Sequence, residues 1–164
     1  MKLRMILAST AVAGLAAAPA ASAQVGGGTD VTARVPSFLE LILTQPSKGF
    51  AAFKKTRSYQ MSFKAQVTAT DAPTLLTLAD GDATGGSKLG HISVGKKRLP
   101  SPLEARVGKS KFQSLDDKVD PLLTRWSDVQ TREETTVRLR QKVKGKATGN
   151  YRKVLLVTLS TETP

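Results

Sequence analysis

The sequence predicts an all-β domain, an immunoglobulin-like antiparallel β-sandwich of about seven to nine strands behind a cleaved signal peptide. Three observations lead there. Tyr59 to Thr70 alternates strictly: Tyr59, Met61, Phe63, Ala65, Val67 and Ala69 fall on one face, with Ser58, Gln60, Ser62, Lys64, Gln66 and Thr68 on the other. That is the period of a half-buried strand. Val137 to Lys146, VRLRQKVKGK, alternates as strictly, with a cation at every second place: Arg138, Arg140, Lys142, Lys144 and Lys146. Turn-forming Gly, Pro, Asp and Asn recur about every ten residues, and the chain beyond its N-terminal apolar run keeps no helical period.

The elements follow in order. Lys2 and Arg4 precede an apolar run from Met5 to Ala18, and Ala21-Ser22-Ala23 supplies small residues at an A-x-A cleavage site. Residues 1–23 therefore read as a secretory signal, too short an apolar run to span a bilayer. Residues 24–30, with Gly26-Gly27-Gly28, read as a flexible lead-in, and 31–164 as the sandwich. Val31 to Leu43 is the first strand region, held to an edge or a bulge by Pro36. Gln45 to Lys55 is a loop whose Phe50 and Phe53 are expected to tuck under the sandwich rim. Tyr59–Thr70 and Thr74–Ala79 are strands, followed by the turn-rich DGDATGGSKLG from Asp80 to Gly90. His91–Val94 and Leu103–Val107 are shorter candidates around Pro100 and Pro102. Leu122–Trp126, Glu134–Val143 and Tyr151–Thr161 complete the set, the last two joined by KGKATGN.

In Val137 to Lys146 a helix would scatter the five cations, since residues two apart are turned by about 200°. A strand gathers them on one side and leaves Val137, Leu139, Gln141 and Val143 on the other. On this reading the cationic side is a solvent face, and reversing Arg138, Arg140 and Lys142 to Glu leaves the fold intact.

Charge and composition narrow the function. The chain carries a net charge of +12, and loss of Lys2 and Arg4 with the signal leaves +10. A field of that sign attracts polyanions. Lys54, Lys55 and Arg57, then Lys96, Lys97 and Arg98, then Arg152 and Lys153 add to it. Nucleic acid is not the expected partner, because no aromatics interleave the basic row and the protein is exported. The absence of cysteine excludes disulfides, a thiol nucleophile, thiolate metal sites and a lipoprotein anchor.

Catalytic groups are sparse. His91 is the single histidine, and no G-x-S-x-G elbow accompanies it. Asp80 and Asp82, and separately Asp116, Asp117 and Asp120, sit in turns where aspartate is a routine turn former, short of a complete calcium loop. Trp126 is read as a core residue grouped with Leu122 and Thr124. No enzyme, cofactor or metal is expected.

The closing segment GNYRKVLLVTLSTETP, Gly149 to Pro164, resembles the last strand of secreted Gram-positive β-sandwich domains, with its pattern G-x-Y-x-x-x-L-x-x-T-L-S-x-x-x-P. VPSFLELILTQP (Val35 to Pro46), LGHISVGKKRLPSPLEAR (Leu89 to Arg106) and LLTRWSDV (Leu122 to Val129) resemble segments of an uncharacterised actinobacterial set of this kind. More distantly, the chain is similar to WxL domains, whose final strand carries W-T-L-S; Val157 stands here in place of that tryptophan, before Thr158-Leu159-Ser160. The resemblance implies an exported immunoglobulin-like domain and says nothing of chemistry.

The expected function is an exported, non-enzymatic protein, extracellular or wall-associated, that binds an anionic envelope polymer or another secreted protein. Its expected contacts are Arg138, Arg140, Lys142, Lys144, Lys146 and Arg152. The alternative is a structural or assembly subunit, or adhesin-like module, that pairs through an edge strand such as Tyr151–Thr161.

Overall fold

Strict alternation becomes strand where both faces find partners. Arg57–Ala69 forms the thirteen-residue β2, between β1 (Leu39–Thr44) and the fourteen-residue β9 (Gln130–Val143), both antiparallel to it. The computed structural model describes residues 36–46, 48–83, 85–117 and 120–162, all within one structural unit. The proposed signal, the lead-in and residues 31–35 of the first strand region lie outside the described residues.

The other strands are β3 (Thr74–Asp80), β4 (Ser93–Val94), β5 (Lys97–Arg98), β6 (Leu103–Val107), β7 (Gln113–Ser114), β8 (Leu122–Trp126) and β10 (Leu155–Thr161). One sheet has the order β1-β2-β9-β6-β7, a second β10-β3-β8, and β4-β5 is a small hairpin. Among the described residues these strands pair antiparallel throughout. The described residues thus make an all-β antiparallel sandwich of the immunoglobulin-like kind, as the alternation predicts.

Its core is the inward face of each sheet. Tyr59, Ala65, Val67 and Ala69 of β2, Leu76 and Leu78 of β3, Leu103 and Ala105 of β6, and Val137, Leu139 and Val143 of β9 are all buried. The inward set predicted for β2 and β9 is correct residue by residue, including Gln141. That amide is fully buried and donates from Nε2 to the carbonyls of Ser101 (2.8 Å) and Lys142 (2.9 Å). Phe53 tucks under the rim as expected, edge-on to Tyr59 with ring centroids 4.9 Å apart.

One boundary and one buried face differ from expectation for physical reasons. β10 begins at Leu155 rather than Tyr151, because Arg152 pairs by backbone with Ser93 instead and Lys153 turns its ammonium onto Asp80. In β8 it is Leu123 that is buried while Leu122 is exposed, since the β3–β8 register shifts between Leu76 and Thr77. A bulge of that kind switches which side chains face inward. Trp126 is half-buried and packs against the core, without Leu122 beside it. β9 starts earlier than expected, at Gln130, but stops at Val143 as expected, and the chain swings away at Gly145 with φ of 78°, a left-handed turn that glycine accommodates.

Two edges are notable. The inward-facing Leu39 and Leu43 of β1 are 38% and 42% exposed, and on β10 Leu156 is 55% exposed. Among the described strands, β1 and β10 each pair on one side only.

Candidate binding surface

The outward face of the five-stranded sheet carries the polar half of each strand. Arg138, Arg140 and Lys142 stand there on β9, as predicted. Lys144 and Lys146 do not: they follow the end of the strand, so the row of five is three residues on a sheet and two on a loop. Arg152 lies outside the sheet altogether, beside Ser93.

The three that remain are not equivalent. Arg140 faces Glu104 of β6 in register, and its Nε donates to Glu104 Oε2 at 2.5 Å. Lys142 Nζ reaches the other oxygen, Oε1, at 2.9 Å. Burial would raise the Glu104 pKa, but the hydrogen bonds from Arg140 and Lys142 and their charges outweigh it and hold the carboxyl below its ordinary value. Glu104 therefore neutralises much of what the row offers.

Arg138 is different. It is exposed, it faces Ser62 on β2 and Arg106 on β6 in register, and among the described residues it makes no salt bridge. Two like charges directly opposite on one sheet face repel. Arg106 and Arg140 both lie over the ring of Phe112, with guanidinium carbons 4.4 and 3.9 Å from its centroid, a cation–π arrangement that fixes both heads. The Nε of Arg106 is buried without a hydrogen-bond partner.

Arg106, Glu104 and Phe112 are the residues of this candidate surface that sequence reasoning missed. LEARV, Leu103 to Val107, alternates, so Glu104 and Arg106 could have been placed outward; which strand they neighbour is a matter of register. Phe112 arrives from the β6–β7 turn and supplies the aromatic absent from the row itself.

Other titratable candidates are engaged within the fold. His91 is buried, and its Nδ1–H donates to the Leu99 carbonyl at 2.7 Å. Asp80 accepts the backbone N–H groups of Asp82, Ala83 and Gly90 at 2.7 to 3.1 Å and the Lys153 ammonium. Burial raises its pKa and these donors lower it further, leaving it below the ordinary value. Asp82 accepts from the Val154 N–H at 2.8 Å. These carboxylates are satisfied by the protein itself, and among the described residues no group of three acidic or histidine side chains is placed to hold a metal.

No family model matches the chain, and none of the curated proteins does. Among solved structures it is similar to a chain of the CsuC–CsuE chaperone–tip adhesion subunit pre-assembly complex from archaic chaperone-usher Csu pili of Acinetobacter baumannii. The identity is 13% and the TM-score 0.45, over 74% of this chain. This chain spans 39% of the length of that one.

Proposed function

We propose that this chain is an exported, non-enzymatic β-sandwich that holds an anionic polymer of the cell envelope against the outward face of its five-stranded sheet. The observation that carries the reading is the Arg106–Arg138 pair: two arginines that are backbone register partners on a protein of net charge +12, with no acid paired to either among the described residues. A bridging phosphate or carboxylate relieves the repulsion between them and gives each a charge-assisted hydrogen bond. Arg140 and Lys142, tied to Glu104, set the shape of the site more than its charge. The N-terminal Lys2, Arg4 and Met5–Ala18 pattern and the resemblance to secreted Gram-positive domains support the compartment. In that compartment the abundant polyanions are wall polymers, acidic glycans and anionic head groups. No helix among the described residues is long and apolar enough to cross a membrane.

The test is retention of the mature protein on isolated Gram-positive cell walls washed with rising salt. Wild type elutes at distinctly higher salt than the Arg106→Gln/Arg138→Gln variant. Equal elution would remove this pair from the account.

A second reading has its own support. β10 is an edge strand of seven residues, LLVTLST, with no charge in it. Edge strands are ordinarily protected by charge. A second copy laid antiparallel and centred on Thr158 would pair these seven uncharged residues, Leu155 to Thr161, with their own counterparts. On this reading the chain is an assembly subunit that extends its three-stranded sheet through a two-fold axis.

A further inference from the structure

Lys146 and Arg152, which the alternating row does not hold, border something else. Between the loop before β2 and the loop after β9 the sandwich opens into a cavity of about 750 Å³, within the size range of small-molecule sites. Its walls are apolar and aromatic: Phe50, Phe53, Met61, Tyr151 and Leu155. Phe53 braces them, tilted against Phe50 at 6.0 Å, edge-on to Tyr59 at 4.9 Å and to Tyr151 at 6.2 Å. Tyr151 is the aromatic of the closing G-x-Y pattern, and the anionic-polymer reading gives it no task.

The rim is of one sign. Lys54, Lys146 and Arg152 line it, and no Asp or Glu is among the lining residues. None of the three makes a salt bridge among the described residues. A fourth lining cation, Lys153, is committed elsewhere, with its ammonium buried against Asp80. An apolar chamber with a cationic, acid-free mouth complements a molecule that is apolar along its body and anionic at one end.

We infer that this cavity binds a single-chain anionic amphiphile. The alkyl chain lies among Phe53, Met61, Tyr151 and Leu155, and the head group meets Lys146, Arg152 and Lys54. This site is separate from the sheet face around Arg106 and Arg138 and stands or falls independently of it.

Calorimetric titration of the mature protein with decanoate, below micelle formation and at fixed ionic strength, tests the inference. Two matched ten-carbon probes accompany it, neutral decanoyl-N-methylglucamide and cationic decyltrimethylammonium. The expected result is one decanoate per chain, bound at least tenfold more tightly than either. Hexanoate should bind more than a hundredfold more weakly than decanoate, because each buried methylene contributes about a fourfold factor. Lys146→Glu/Arg152→Glu, two exposed substitutions, should bring decanoate down to the affinity of the neutral probe. Arg106→Gln/Arg138→Gln should bind decanoate as wild type does. In NMR spectra the Met61 methyl and Tyr151 ring signals should move on saturation. Absence of decanoate binding, equal affinity for the three head groups, or affinity independent of chain length would overturn the inference, the last because it describes adsorption to surface charge alone.

Discussion

Arg106 on β6 and Arg138 on β9 are register partners on one face of the sheet, and no acid among the described residues compensates either. The fold therefore stores a repulsion that a ligand can relieve. Replacing Arg138 with Gln should leave thermal stability unchanged or raise it by up to about 1 kcal/mol, the range for removing a like-charged cross-strand pair. Differential scanning calorimetry reads this directly. A loss above about 1 kcal/mol would mean that Arg138 has a structural task.

Glu104 is the keystone of the same face, with Arg140 and Lys142 both bound to it. Its pKa is lower in the folded protein than in the unfolded chain, so its contribution is complete above the unfolded value. It fades as pH falls through the folded one. Glu104→Gln should cost roughly 1 to 2 kcal/mol at neutral pH, discounted because Lys142 is half exposed. It should also flatten the loss of stability on acidification below the ordinary carboxylate pKa. Urea unfolding of both forms across that range is the measurement.

The same carboxylate changes what a charge-reversal experiment means. If the row were only a solvent face, Glu at positions 138, 140 and 142 would be tolerated. With Glu104 between Arg140 and Lys142, the triple reversal instead gathers like charges around a carboxylate that is only 15% exposed. The triple variant should therefore unfold or express poorly while Arg138→Glu alone stays folded, as circular dichroism would show.

Asp80 and Lys153 form a pair whose side chains are almost wholly buried. Asp80→Asn leaves the ammonium without its counter-charge and should destabilise by about 3 to 5 kcal/mol. Equilibrium denaturation should show this at neutral pH. The wild type should lose the same contribution in acid, because the Asp80 pKa too is held low and its stabilisation disappears as pH falls through it.

If β10 pairs with itself, the mature protein should show a concentration-dependent dimer by analytical ultracentrifugation, strengthened by salt, which screens the repulsion of two basic chains. Thr158→Lys sets two ammonium groups across the two-fold axis and should abolish it. A monomer at every concentration and salt would dispose of this assembly reading and leave the polymer reading untouched.

The strands were legible where one face had to be buried. The inward faces of β2 and β9 follow from period two alone, Gln141 included, because a slip of one residue would expose all of Val137, Leu139 and Val143. What lay hidden depends on register between strands distant in sequence. That Arg106 meets Arg138, and Glu104 meets Arg140, follows from the β6–β9 pairing, which composition does not encode. The bulge that buries Leu123 in place of Leu122 likewise belongs to the β3–β8 pair. The end of the strand at Val143 was legible as well, since Gly145 interrupts the pattern and a glycine inside a strand pattern is a signal to stop; that Lys144 and Lys146 thereby leave the sheet face is the part the alternating row concealed.

The most direct test of the anionic-polymer account is the salt dependence of affinity for a defined phosphodiester chain, a poly(glycerol phosphate) oligomer, measured for wild type and for Arg106→Gln/Arg138→Gln. The account predicts that wild type binds at least tenfold more tightly at low salt and that its affinity falls more steeply as salt is added, since two more charges take part. Equal affinities and equal slopes for the two proteins would contradict it.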